Sequence, residues 1–445
     1  MKREEKLKKK KLFDAIGICC GVLVVLVGIL SGVLNRVPPP AAGTVLAVEE
    51  AEHTGRAVAN KVETMSGVTV LHAADWAEEY PEIYADFMKN QENDEVEDYL
   101  KSYPQLVTLY EPYGFSYSYG SARGHFYDVE DINETGRPHK YAQCWTCKTP
   151  DFTNLVNEIG REVYQYDFDE VRQHIVEGIS CYTCHANTPG EITVTHTYVV
   201  DALGSDWDKV PAADLACGQC HVEYYFAPED GATTLARHDL ESMAPSAILS
   251  AFNNDILMGD GQNFADYTNP RTGVRQIKVQ HPEFETFLGE GTVHGWGMGA
   301  AAPQFTCADC HMGTVADGKG GTHPNHYLTS PLENQALIDA ECSRCHADLV
   351  TQIRTLQNEI DTRTTEISDR LVELTETLAA AVESGEYTED ELNAIRAVAR
   401  DAQFYWDFVF VENAEGAHNS KLTTQCLDMA EELTAQAMGM FRKSA

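Results

Sequence analysis

Five Cys-x-x-Cys pairs between residues 144 and 345, four of them followed directly by histidine, an apolar stripe at helical spacing beyond residue 349, and few runs with strand-like alternation predict a mainly α protein. The class they indicate is a multihaem c-type cytochrome fold. Its core is packed with covalently attached haem, its strands are few and short, and its C-terminal helices are long.

Composition sets the outer bounds. The chain has 445 residues and 43% apolar content, enough to bury a core and to exclude a disordered polymer. Its 33 Lys plus Arg against 69 Asp plus Glu give a formal charge of −36, a surface that repels nucleic acid. Any anion handled by such a protein needs a local positive pocket, which draws attention to arginines near a candidate site.

The amino terminus carries Met1-Lys-Arg and the lysines Lys8 to Lys11, followed by an uncharged apolar run from Ala15 to Leu34. A basic flank beside a membrane-length segment predicts an anchor or signal peptide in residues 1–37, with the lysines inside and the remainder exported. Cys19 and Cys20 fall in this run and read as small hydrophobes rather than ligands. Residues 38–346 are expected to form the haem-binding domain, and 347–445 a long-helix region.

Within 38–346 no fixed repeat period appears, which excludes a solenoid. The organising feature is the set Cys181-Tyr-Thr-Cys184-His185, Cys217-Gly-Gln-Cys220-His221, Cys307-Ala-Asp-Cys310-His311 and Cys342-Ser-Arg-Cys345-His346. Two thiols three positions apart can add to both vinyl groups of one porphyrin, and the adjacent histidine then lies under the iron. A zinc reading needs Cys and His converging in tetrahedral sets, which these gaps do not provide.

The fifth pair, Cys144-Trp-Thr-Cys147-Lys148, has lysine where histidine is expected. Read as a thioredoxin-like dithiol it lacks the surrounding strand-helix-strand pattern. Read as a haem site it asks an amine to bind iron. Neutralising lysine at pH 7 costs roughly 4.6 kcal/mol, from about 3.4 units at 1.36 each. A ligand that costly suits a reactive iron with its opposite face open. Twelve histidines remain as candidate distal ligands for the other four haems, and composition alone does not choose among them.

Beyond Ala347, Leu349, Ile353, Leu356, Ile360, Ile367, Leu371, Leu374 and Leu378 make one apolar stripe, predicting a helix over 349–383 that Gly385 breaks. Thr388-Glu-Asp-Glu391 reads as a capping box opening a second helix toward Phe410. Cys426 reads as a buried thiol on a helix. The stripe serves core packing or, as the sharper alternative, a homodimer seam.

The lone Cys-x-x-Cys-Lys motif followed by four Cys-x-x-Cys-His motifs, together with Cys217-Gly-Gln-Cys-His-Val-Glu-Tyr-Tyr-Phe226 and Lys278-Val-Gln-His-Pro-Glu-Phe-Glu285, resembles the ammonium-forming pentahaem cytochrome c nitrite reductase family from about Arg123 to His418. The resemblance implies five covalent haems, one calcium ion and six-electron reduction of nitrite, with hydroxylamine as a second substrate. It implies Arg137, Tyr224 and His281 as the distal pocket opposite the Lys148 haem, and Glu223, Tyr224, Lys278 and Gln280 as calcium ligands. It also implies His125, His294, His326 and His418 as distal ligands of the third, fifth, second and fourth haems, with His323 a competitor of His326. A homodimer, an extracytoplasmic location and a membrane quinol-oxidising multihaem cytochrome as electron donor follow from the same resemblance. The competing readings are a non-catalytic multihaem electron-transfer cytochrome and a multihaem oxidase running hydroxylamine chemistry in reverse. The first predicts every haem six-coordinate, and the second would usually require more than five haems.

Overall fold

The long helices are where the sequence most directly dictates structure. In the computed structural model, which describes residues 70–241, 243–254, 256, 267–295 and 303–441, three of them close the C-terminal region. Numbered in chain order with three shorter helices that bear motif cysteines, the helices used below are α1 (Cys181–His185), α2 (Ala212–Gly218), α3 (Cys307–His311), and the long α4 (Leu349–Ser384), α5 (Glu389–Phe410) and α6 (Ser420–Phe441). Helix α4 starts where the Asp348 carboxylate caps Thr351 N, and it stops at Gly385, whose φ of 64° is open to glycine without penalty. Helix α5 opens on the reciprocal Thr388–Glu391 capping box.

The apolar stripe of α4 is graded. Ile360, Ile367, Leu371, Leu374 and Leu378 are buried against α5 and α6, while Leu349, Ile353 and Leu356 are only partly covered. The same core takes in Trp406, Phe404 and Phe408 of α5, Leu427 of α6, and Tyr110, Tyr113 and Phe115 from the segment before the first Cys pair. Truncating one such leucine to alanine typically costs 2–5 kcal/mol. Cys426 is buried in this core.

The strands are short: β1 (Tyr224–Phe226) with β2 (Thr233–Leu235), β3 (Tyr267–Thr268) with β4 (Arg275–Gln276), and β5 (Thr314–Ala316) with β6 (Thr322–Pro324), each pair an antiparallel ribbon. All described residues fall within one unit, Thr54–Ala445. The expected N-terminal segment, 1–37, lies outside the described residues, and among those described no helix is long and apolar enough to cross a membrane.

Candidate haem and active site

The Cys pairs occupy helical turns, so each second cysteine and the residue after it emerge on adjacent faces. Three pairs lie on α1, at the end of α2 and on α3, and the first and last on 3-10 turns over Ala142–Trp145 and Cys342–Arg344. None of the ten motif cysteines is in a disulfide, which leaves every thiol available for vinyl addition. The motifs are also neighbours in space. The thiol of Cys147 contacts that of Cys220, and Cys217 contacts Cys307, bringing the first, third and fourth motifs together.

Four histidine pairs face each other across the motifs. Ring centroids are 6.4 Å apart for His185 and His326, 6.2 Å for His221 and His125, 6.1 Å for His311 and His418, and 6.3 Å for His346 and His294. Two imidazoles sharing one metal, each with a bond of about 2.0–2.1 Å, would hold their centroids a little over 6 Å apart, so these gaps fit one iron per pair. Most of the rings have Nδ1 engaged, leaving Nε2 for iron: His185 to Glu191 O at 2.8 Å, His294 to Pro303 O at 2.9 Å, His326 to Pro324 O at 2.9 Å, and His346 to Gln352 Oε1 at 3.2 Å. Burial pushes His125 down to about 3 and His311 to about 4, keeping the neutral rings that metal ligation requires. His323, the competitor, is turned to Asp86 with Nε2 2.6 Å from Oδ2, while His326 is the one opposite His185.

His281 also approaches His221, with centroids 5.9 Å apart, so distance alone does not sort the two partners. Their nitrogens do. The Nδ1 atoms of His221 and His281 lie 3.7 and 3.8 Å from Glu283 Oε1, which puts His281 on the Nδ1 side of His221 and leaves Nε2 to His125. Asn413 Nδ2 donates to the same oxygen at 2.6 Å. Burial alone would lower His221, but Glu283 outweighs it and holds it at about 9. The 278–285 segment reaches this spot because Phe284 N donates to His221 O at 2.9 Å and its ring lies on Gly218. A Cβ on Gly218 would stand 2.4 Å from that ring, so the third motif has room for glycine alone.

Around the first motif, Trp145 stacks on Phe168 at 4.6 Å and anchors the turn. Lys148 Nζ donates to Asp128 Oδ1 at 2.9 Å. Burial would lower the lysine, yet the Asp128 carboxylate keeps it above its ordinary value. Buried Asp128 is therefore placed to take the proton that Lys148 would have to shed if it bound iron. Arg137 and Tyr224 gather at the same motif, each within electrostatic reach of Cys144 and of the other. The Arg137 guanidinium carbon sits 3.8 Å over the Phe115 ring, its stem against Gly114. Burial lowers its pKa, but a guanidinium stays charged at any working pH. Burial raises the Tyr224 phenol well above its ordinary value, so it remains a proton donor.

The candidate calcium ligands also converge. Glu223 is buried, Gln280 N donates to its Oε2 at 2.6 Å, and Gln280 Nε2 donates to Lys278 O at 2.8 Å. Glu223 Oε1 has no hydrogen-bond partner, and burial drives that carboxyl well above its ordinary value. An orphaned buried carboxylate oxygen beside backbone carbonyls is a donor set that a hard cation satisfies.

Sequence reasoning did not name Glu283, Asp128, Glu412 or Asp407. Asp407, on α5, is fully buried and accepts Tyr110 OH at 2.5 Å, Val279 N at 2.8 Å and Lys278 Nζ at 3.3 Å. It thereby fastens the strip bearing Lys278, Gln280 and His281 to the helical core. The spacing of Glu283 two residues after His281 was the one available signal.

A profile of the cytochrome c552 family matches residues 72–445. The chain is 31% identical over 412 residues to the cytochrome c nitrite reductase subunit NrfA of Nitratidesulfovibrio vulgaris, covering 81% of this chain and 76% of that one. It is 30% identical over 385 residues to cytochrome c-552 of Aliarcobacter butzleri, covering 80% and 74%. Its fold is similar to the catalytic subunit of the cytochrome c nitrite reductase of Desulfovibrio desulfuricans, described with two calcium sites, with a TM-score of 0.72 at 26% identity over 83% of this chain and 85% of that one.

Proposed function

The chain belongs to the cytochrome c552 family and is a nitrite reductase that forms ammonium with haem c and calcium; we propose that it does so at the Lys148 haem, with Arg137, Tyr224 and His281 handling substrate and protons. The observation that carries this reading is the gathering of Arg137 and Tyr224 at the one motif whose axial residue is lysine.

One nitrite, eight protons and six electrons give one ammonium and two waters. The bound haems supply the electrons and the iron that takes nitrite. Everything else falls to the chain. Arg137 offers a fixed cation with a planar fork for a small anion in a protein of net charge −36. Tyr224, kept protonated, donates a hydrogen bond. His281, whose Nδ1 lies 3.8 Å from Glu283 Oε1, is the imidazole that passes protons to the substrate. Lys148, with Asp128 as its proton acceptor, serves as the proximal ligand. Glu223, Tyr224, Lys278 and Gln280 would hold the calcium ion, which would add positive field to the same wall.

The remaining motifs, as histidine-paired haems on His185–His326, His221–His125, His311–His418 and His346–His294, form the electron store. Hydroxylamine is a second substrate. Residues 1–37 anchor the chain so that 38–346, the haem-binding domain, and 347–445 lie outside the cytoplasm, where a membrane quinol-oxidising multihaem cytochrome donates electrons. Two copies associate through the long helices of 347–445, a reading supported by the partly covered Leu349, Ile353 and Leu356. Light scattering on the purified protein tests the dimer. Arg137→Ala and His281→Ala test the site: five haems by pyridine haemochrome count and a large loss of viologen-driven turnover are expected, and undiminished turnover in both would remove the assignment.

A further inference from the structure

We propose that Glu412 makes the haem attached at Cys307 and Cys310 the hardest of the histidine-paired haems to reduce. The inference rests on the pairing of His311 with His418 read above and goes beyond it to the ordering of the electron store.

The observation is a difference among axial candidates in what their second nitrogen meets. His185, His294 and His326 face backbone carbonyls, and His346 faces the Gln352 amide oxygen, all neutral acceptors. His418 Nδ1 instead lies 2.6 Å from Oε1 of Glu412, a carboxylate only 3% exposed. Its other oxygen, Oε2, has no hydrogen-bond partner, and among the described residues no lysine or arginine forms an ion pair with it. The next carboxylate in such a role, Glu283 at His221, stands off at 3.7 Å, beyond hydrogen-bond length.

An anionic acceptor on the far nitrogen draws the N–H proton and makes the imidazole a stronger donor to iron. A stronger donor favours the ferric over the ferrous state, and a buried, unneutralised negative charge nearby opposes adding an electron in the same sense. The first effect singles out the His311–His418 pair, because only there among the described residues does a carboxylate come within hydrogen-bond length of an axial imidazole. This site is also intermediate in the chain of motifs: Cys307 contacts Cys217 of the third motif, and Cys310 is within electrostatic reach of Cys342 of the fifth. Electrons passing from the fifth motif toward the third therefore rest on either side of this haem rather than on it. Glu412 keeps the two sides of the store distinct.

The test is Glu412→Gln in the full holoprotein. Pyridine haemochrome counting must give five haems, and low-spin ferric resonance must show the histidine pairs intact. In a potentiometric titration, the most negative one-electron step is expected to shift positive by at least tenfold in its reduced-to-oxidised ratio, about 59 mV for one electron. The other steps should move by less than half of that. Should the glutamine variant fail to assemble, Glu412→Asp, which withdraws the carboxylate by one methylene, must move the same step in the same direction. Unmoved steps, or movement confined to a step other than the most negative, overturn the proposal. Loss of one low-spin signal with all five haems retained would overturn the pairing beneath it instead, and the tuning role with it.

Discussion

Gly114→Ala perturbs the proposed anion site without removing any of its chemistry. Gly114 begins a short 3-10 turn with no positive φ, so alanine is tolerated by the backbone. Its Cβ would lie 3.2 Å from Arg137 Cβ and Cγ and 3.3 Å from Cδ. Carbon contacts are optimal at about 3.5–4.0 Å, so the arginine stem must retreat by roughly 0.3–0.5 Å. A misplacement of about 1 Å can cost a hundredfold, or about 2.7 kcal/mol, so this retreat is worth roughly a five- to tenfold fall in kcat/KM for nitrite. Removing the guanidinium in Arg137→Ala forfeits charge-assisted hydrogen bonds of about 1.5–3 kcal/mol, or roughly ten- to 150-fold. Viologen-driven nitrite turnover, on protein counted for five haems, reads both. If both variants keep kcat/KM within about twofold of the parent, Arg137 does not bind substrate and the pocket drawn around it is wrong.

Calcium should matter through Glu223. At a hundred times its Kd, calcium stabilises the folded protein by about 2.7 kcal/mol, and Glu223→Gln should bring that increment in denaturant titrations close to zero. Its neighbour Glu285, whose two oxygens both accept Glu223 N at 3.1 Å, has its carboxyl pushed up to about 8 by burial. Because that folded-state value lies above the ordinary 4.5, the stability it contributes is complete below pH 4.5 and is lost as pH rises through 8. Calcium-stripped protein should weaken across that window more than calcium-loaded protein; equal pH profiles would contradict the link. Lys148→His should keep the haem, once loading is verified, and lose at least tenfold in nitrite turnover, about 1.4 kcal/mol in the barrier. Unchanged turnover would mean that lysine ligation is dispensable.

Local rules carried the sequence reading a long way. The motif spacing is itself the haem chemistry, the stripe predicted α4 within a residue of its observed end, and the Thr388–Glu391 box marks the start of α5. What stayed hidden depends on contacts between distant parts of the chain. Asp407 meets Val279 across 128 residues, and Lys148 meets Asp128 across 20 from a separate turn. No periodicity announces either. Likewise Glu412 reads as an ordinary acidic residue until α5 ends and the chain turns back to bring His418 against it. The histidines were many and composition offered no ranking among them, so His125, His294, His326 and His418 were named only through the family resemblance; opposed rings at 6.1–6.4 Å, with Nδ1 engaged on most, supply a physical criterion that composition lacks.

The central claim is that the Lys148 haem is the one that takes nitrite while the other four, each between two histidines, only move electrons. A titration of the oxidised protein with nitrite, followed by electron paramagnetic resonance and visible absorption, tests it most directly. The account predicts one high-spin ferric haem in five, converted by about one equivalent of nitrite, with the four low-spin signals unmoved. Five low-spin haems whose spectra ignore nitrite would contradict it.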